Sequence, residues 1–116
     1  TDPYWQALKL PLKPFFRFSL NDLTAIAEKE NKSVQIWLQG FGFNDSELPE
    51  IEEAVAILHD EQISNVFVWG FAACAHMASL RPESPEKCWR TIVDALQIFL
   101  KENNQLDDNI HIGGLL

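Results

Sequence analysis

The order of elements in this sequence predicts an α/β fold made of parallel βα units. Two short apolar segments with strand character alternate with longer stretches whose apolar residues recur at helical spacing. No Asn-Gly or Asp-Gly turn lies between the two segments, so no hairpin is predicted. Strands joined through a helix run parallel, with right-handed crossovers.

Each element has its own signal. Asp2-Pro3-Tyr4-Trp5 is a proline-interrupted opening, and Pro11 and Pro14 punctuate the connection after it. Leu20, Leu23, Ile26 and Ala27 predict a helix over about 21–30, with an alternative start near Phe15 and Ser19 or Asn21 as cap. Residues 33–39 predict a strand with Val34, Ile36 and Leu38 on one face and Gln35, Trp37 and Gln39 on the other. Asp45 or Ser46 is the expected cap of the next helix, whose first turn is acidic and tolerates Pro49. Leu48, Ile51, Val55 and Leu58 form its buried stripe. A second strand over about 65–69 sets Val66 and Val68 against Asn65, Phe67 and Trp69. Ser84 and Pro85 then open a last helix over about 85–101, expected to bury Trp89, Ile92, Val93, Leu96 and Leu100. No periodicity is visible in the remaining tail, 101–116. Two strands with apolar residues on both faces make a poor domain alone, because parallel strands are covered on both sides and bare edges invite pairing.

Composition bounds the function. The chain has 116 residues, 47% of them hydrophobic, and no low-complexity tract, as expected of a folded globular segment. Its net charge is −8 and its nine basic residues are scattered, which argues against nucleic acid as partner, since phosphate neutralisation needs clustered Lys and Arg. Apolar runs such as Val66–Trp69 are far shorter than the ~20 residues of a membrane span, so no membrane partner is expected. Cys74 and Cys88 have neither a CxxC pair nor zinc-ligand spacing, His59 and His111 join no cluster, and no metal is expected. No glycine-rich turn of the GxGxxG kind appears, and no cofactor is expected. The acidic Glu47–Glu53 stretch reads as a solvated helix face. The leading Thr1, with no leader before it, suggests a chain processed or cut from something longer.

The segments TDPYW, IWLQGFGF, VFVWGF and SLRPESPEKCW together resemble the C-terminal part of a (β/α)₈ barrel of the glycoside-hydrolase type, from the end of the sixth strand through the eighth helix. The resemblance covers the chain up to about Leu100 and implies a partial barrel, with about 1–100 as barrel units and 101–116 as a tail. It also implies that the remainder of the barrel, or another chain, completes the sheet. In such barrels the functional groups stand at the C-terminal ends of the strands. Those ends here carry Asp2, Tyr4 and Trp5, then Gln39 and Phe41, then Trp69 and Phe71.

The implied function is glycosidic-bond hydrolysis in the complete protein, with a carbohydrate ligand. Asp2 is the one strand-end carboxylate and the implied general acid or nucleophile; as Asp before Pro it is equally an ordinary turn starter. Many barrel glycosidases have a nucleophilic glutamate at the end of the seventh strand, where this chain has Gln39. An amide cannot take that role, but it can donate to and accept from sugar hydroxyls. Tyr4, Trp5 and Trp69 offer flat rings for stacking on a sugar, or for packing. Phe41, Phe43 and Phe71 can rim the pocket or pack, while His76 and Arg81 lie in the loop after the last strand, where substrate contact and loop anchoring are the two readings. Two further functions stay open: a carbohydrate-binding barrel without catalysis, and an assembly domain whose strand edges pair with another chain. Two cysteines leave the cellular compartment open.

Overall fold

The computed structural model describes residues 1–70, 79–102 and 110–111. In chain order they form α1 (Leu12–Lys29), β1 (Ile36–Gly40), a 3-10 turn (Asp45–Glu47), α2 (Pro49–Asp60), β2 (Val66–Gly70), α3 (Pro85–Glu102) and β3 (Ile110–His111). The protein is a mixed α/β structure with parallel strands. β1 pairs with β2 from Ile36 opposite Val66 to Gly40 opposite Gly70, and β3 sets Ile110 and His111 beside Val66 and Phe67, so the strand order is β1-β2-β3. The tail therefore contributes a strand that its sequence hides, because two residues are too few to display a period.

Alternation along the strands decides where the core lies. Ile36, Leu38, Val66 and Val68 are all buried and join one cluster with Leu12, Phe16 and Leu20 of α1. Ile51, Ala54, Val55 and Leu58 of α2 and Cys88, Ile92, Ala95 and Leu96 of α3 complete that cluster. The three helices thus cover the same sheet face. Truncating one of its large residues, such as Phe16, should cost about 3–5 kcal/mol. The ion pairs from α1 to α2, Lys13 with Glu53 at 2.8 Å and Arg17 with Glu61 at 2.6 Å and Asp60 at 3.4 Å, are partly exposed and add about 1 kcal/mol or less each. Apolar burial, then, docks the helices.

The element boundaries differ from the sequence reading in instructive ways. α1 starts at Leu12, well before Asn21, with Pro11 as its N-cap and Pro14 in its first turn. A first-turn proline lacks only an N–H that would have had no intrahelical partner, so it opens a helix as readily as it breaks one. Ser19 accordingly is not a cap: it sits inside the helix, its hydroxyl donating to the Phe15 carbonyl at 2.9 Å. Before α2, neither Asp45 nor Ser46 caps the α-helix. Asn44 precedes the 3-10 turn, and the Glu47 carboxylate reaches back to accept from the Asn44 N–H at 2.7 Å. Asp45 turns instead toward α3, accepting from Lys87 at 2.9 Å and Ser84 at 3.2 Å. On α3 the inward stripe is Cys88, Ile92, Ala95 and Leu96, so Trp89 and Val93 are only half-buried. The Leu100 side chain lies outside the described residues. α1 and α2 close alike: Asn31 and Gln62 take φ of 51° and 56°, and the next N–H returns to the helix, Lys32 to Ala27 at 2.8 Å and Ile63 to Leu58 at 2.9 Å.

Gly40 and Gly70 end the paired strands side by side. A Cβ on Gly40 would meet the Trp69 carbonyl oxygen and Val68 Cγ1, each at 2.9 Å, and one on Gly70 would overlap the Gly40 carbonyl group. Gly70 also has φ +141°, a conformation that side chains strain. Gly70→Ala should therefore lose about 2 kcal/mol or more of unfolding free energy in urea. Gly42→Ala, with φ +74° but a looser contact of 3.4 Å to Gln6, should lose about 1 kcal/mol. Equal midpoints for the two variants would contradict the close strand approach.

Candidate functional site

The second face of the sheet carries Trp37 and Gln39 from β1 with Phe67 and Trp69 from β2, each pair in register. Trp37 stacks on Phe67, centroids 5.1 Å apart and planes at 18°. Phe41, the first residue after β1, meets Trp69 edge to face at 5.1 Å and 84°, and Tyr4 meets Phe41 at 5.0 Å and 84°. These rings bound a cavity of about 500 Å³ lined by Asp2, Tyr4, Trp37, Phe41, Trp69 and Leu80. Such a volume falls within the range of small-molecule sites.

Three devices hold this wall in place. At the outer edge of β1, the Thr1 amino group donates to the Gln35 carbonyl at 2.7 Å, and the Trp37 N–H donates to the Thr1 carbonyl at 2.9 Å. One residue bonded to both neighbours of Ile36 is the pattern of a parallel ladder, and it brings Asp2 and Tyr4 beside the strand. Next, Gln39 is fully buried and every polar group of its amide is used. Its nitrogen donates to the Phe41 carbonyl at 2.8 Å and to Gln6 Oε1 at 3.3 Å, while its oxygen accepts from the Ala7 N–H at 3.4 Å. Gln6 in turn donates to the Glu47 carboxylate at 3.2 Å. Finally, the Gly42 N–H donates to the Leu80 carbonyl at 2.8 Å and the Glu83 N–H to the Phe43 carbonyl at 2.9 Å, which seats Leu80 on the rim.

Electrostatically the cavity is one-sided. Among the described residues Asp2 is the only charged side chain that lines it. Burial, assisted by the charge of Asp2, raises the Tyr4 phenol from its ordinary value of 10.0 to about 12, so Tyr4 stays a neutral hydroxyl able to donate and accept. Away from the cavity, the hydrogen bond from Lys87 lowers the Asp45 carboxyl against an opposing desolvation, with a smaller contribution from Ser84. No group of His, Cys, Asp and Glu among the described residues is arranged to hold a metal ion.

Asp2, Tyr4, Phe41 and Trp69, expected from the strand ends, thus come together. Gln39 lies directly behind them, committed to the loop rather than open to a ligand. Trp5 goes elsewhere. The tight turn that begins with the Tyr4 N–H on the Asp2 carbonyl sends consecutive side chains to opposite sides. Trp5 is buried edge-on against Phe16, and its indole donates to Glu50 at 2.6 Å. Arg81 is exposed and does not line the cavity. Phe71 and His76 lie outside the described residues. Trp37 is not among the residues expected at the site, yet it lines the cavity; its period-2 relation to Gln39 was the available signal. Gln6 and Leu80 carried no signal, because their roles depend on contacts distant in sequence. No protein-family model, curated protein or solved structure matches this chain.

Tyr4 is the only tyrosine of the sequence, so phenolate absorbance reports it alone. Its midpoint should fall near pH 12, and Asp2→Asn should lower it part of the way back. Since the folded value lies above the unfolded one, the associated stability is complete below pH ~10 and lost as pH rises toward the folded value. A midpoint at the ordinary value would mean that Tyr4 is fully solvated. Gln39→Leu strands the Phe41 carbonyl and the Ala7 N–H and should cost about 1–3 kcal/mol in chemical unfolding. An unchanged stability would remove Gln39 as the organiser of the loop.

Proposed function

We propose that this chain is the C-terminal portion of a (β/α)₈ barrel of the glycoside-hydrolase type and that its aromatic sheet face binds carbohydrate. The observation that carries the reading is the cavity at the strand ends, with the rings of Tyr4, Trp37, Phe41 and Trp69 around one carboxylate, Asp2. Aromatic faces match the apolar faces of sugar rings, while a phenol and a carboxylate pair with hydroxyls. The architecture supports the same reading. β1 and β2 follow in sequential order and the helices cover one face, as in consecutive barrel units, whereas a doubly wound sheet has helices on both; β3, after the last helix, is additional to them. The ladder pattern at Thr1 adds a neighbour on the other edge of β1, in the place of a preceding strand.

Hydrolysis by the usual mechanism needs two carboxylates about 5 to 9.5 Å apart. Asp2 supplies one in this proposal, and the second comes from another part of the barrel. Among the described lining residues Asp2 is the single carboxylate, which favours a second reading, in which the barrel binds sugar without cleaving it. Asp2→Asn in the complete protein separates the two: loss of turnover with retained binding supports hydrolysis.

For the binding itself, Trp69→Ala should weaken oligosaccharide affinity roughly tenfold, read by calorimetric titration, and reduce the ligand-induced change in tryptophan fluorescence. A variant that folds normally and binds as tightly as the parent would sink the carbohydrate reading at this face.

A further inference from the structure

We infer that the sugar selected by this cavity carries a positive charge, an amino sugar whose free ammonium group sits between the aromatic walls and the Asp2 carboxylate. The inference rests on the carbohydrate reading above and narrows it to one substrate class.

Two observations carry it. The first is the chemistry of the lining: four aromatic rings, the Leu80 side chain and one carboxylate, with no cationic side chain among the described lining residues. The half-buried rings of Tyr4, Trp37 and Trp69 are electron-rich on their faces, and an ammonium within about 6 Å of such a face is attracted electrostatically. Asp2 adds a full opposite charge, and its influence extends into the cavity, because it contributes to the raised Tyr4 phenol. An acidic sugar would meet repulsion from both sources.

The second observation is shape. Tyr4 and Trp69 both stand at 84° to the buried Phe41, so the three rings do not form one flat stacking platform. A flat platform suits the broad face of a neutral ring, and a broken aromatic wall suits a compact cation better. The neutral Tyr4 hydroxyl remains available to the sugar hydroxyls beside that amine.

The test is calorimetric titration of the protein with three short oligosaccharides at mildly acidic pH and fixed ionic strength: a glucosamine oligomer, its N-acetylated counterpart and a neutral glucose oligomer. The amine should bind roughly tenfold tighter than the other two. Asp2→Asn should remove most of that preference, whereas Asp22→Asn, which deletes the same charge from an exposed position on α1, should retain it. Equal affinities for the amine and the acetamide overturn the charge inference and leave the carbohydrate reading standing. So does an equal loss of preference in both variants, which would assign it to the overall negative charge. Failure of all three sugars to bind overturns the carbohydrate reading and the inference with it.

Discussion

The parallel, in-register pairing of β1 with β2 is the constraint on which the other features of this protein depend. With Ile36 opposite Val66, every second pair points the same way, so Ile36, Leu38, Val66 and Val68 form one apolar face and Trp37, Phe67, Gln39 and Trp69 form the other. A slip of one residue would exchange the two faces of one strand and place Trp37 and Gln39 under the helices. The glycines at the strand ends belong to the same constraint, since the approach of Gly70 to the Gly40 carbonyl admits no side chain.

The two faces do different work because they are covered differently. The helices bury the aliphatic face completely, and its residues are uniform, branched and free of polar atoms. The aromatic face is half-covered, and it combines large rings with a buried amide. Gln39 could not be placed there without partners, since an unpaired buried polar group costs about 1–3 kcal/mol. The N-terminal loop supplies them through Gln6 and the Ala7 N–H, and the chain just after the strand supplies the Phe41 carbonyl. One residue thereby links β1, the loop that carries Asp2 and Tyr4, and, through Gln6, the Glu47 carboxylate ahead of α2. The rigidity of the cavity wall comes from this connection.

This arrangement makes the aromatic wall a rigid surface. Rings packed edge to face are held in fixed orientations, so the cavity offers preformed surface with few polar groups to reorganise.

The strands, their two-sided character and the parallel order were legible because each depends on local spacing and on the absence of a hairpin turn. The gathering of Phe41 and Trp69 was also legible, as strand ends of parallel units lie on one side of the sheet, whereas Asp2 and Tyr4 were expected there only from the resemblance to a barrel. The start of α1 was not, since Pro14 is compatible with both a connection and a first turn, and packing of Leu12 and Phe16 on the core chose the turn. Trp5 and Tyr4 are neighbours in sequence and look interchangeable there, but a tight turn sends one to Glu50 in the core and the other to the cavity. By itself, then, the sequence determined the alternation of elements and the chemical character of each face, which are properties of short-range period. Only the tertiary structure decided that Gln39 braces the site rather than greeting a ligand, that Trp37 opens onto the cavity and that the tail returns as a strand, because each outcome is set by partners distant in the chain.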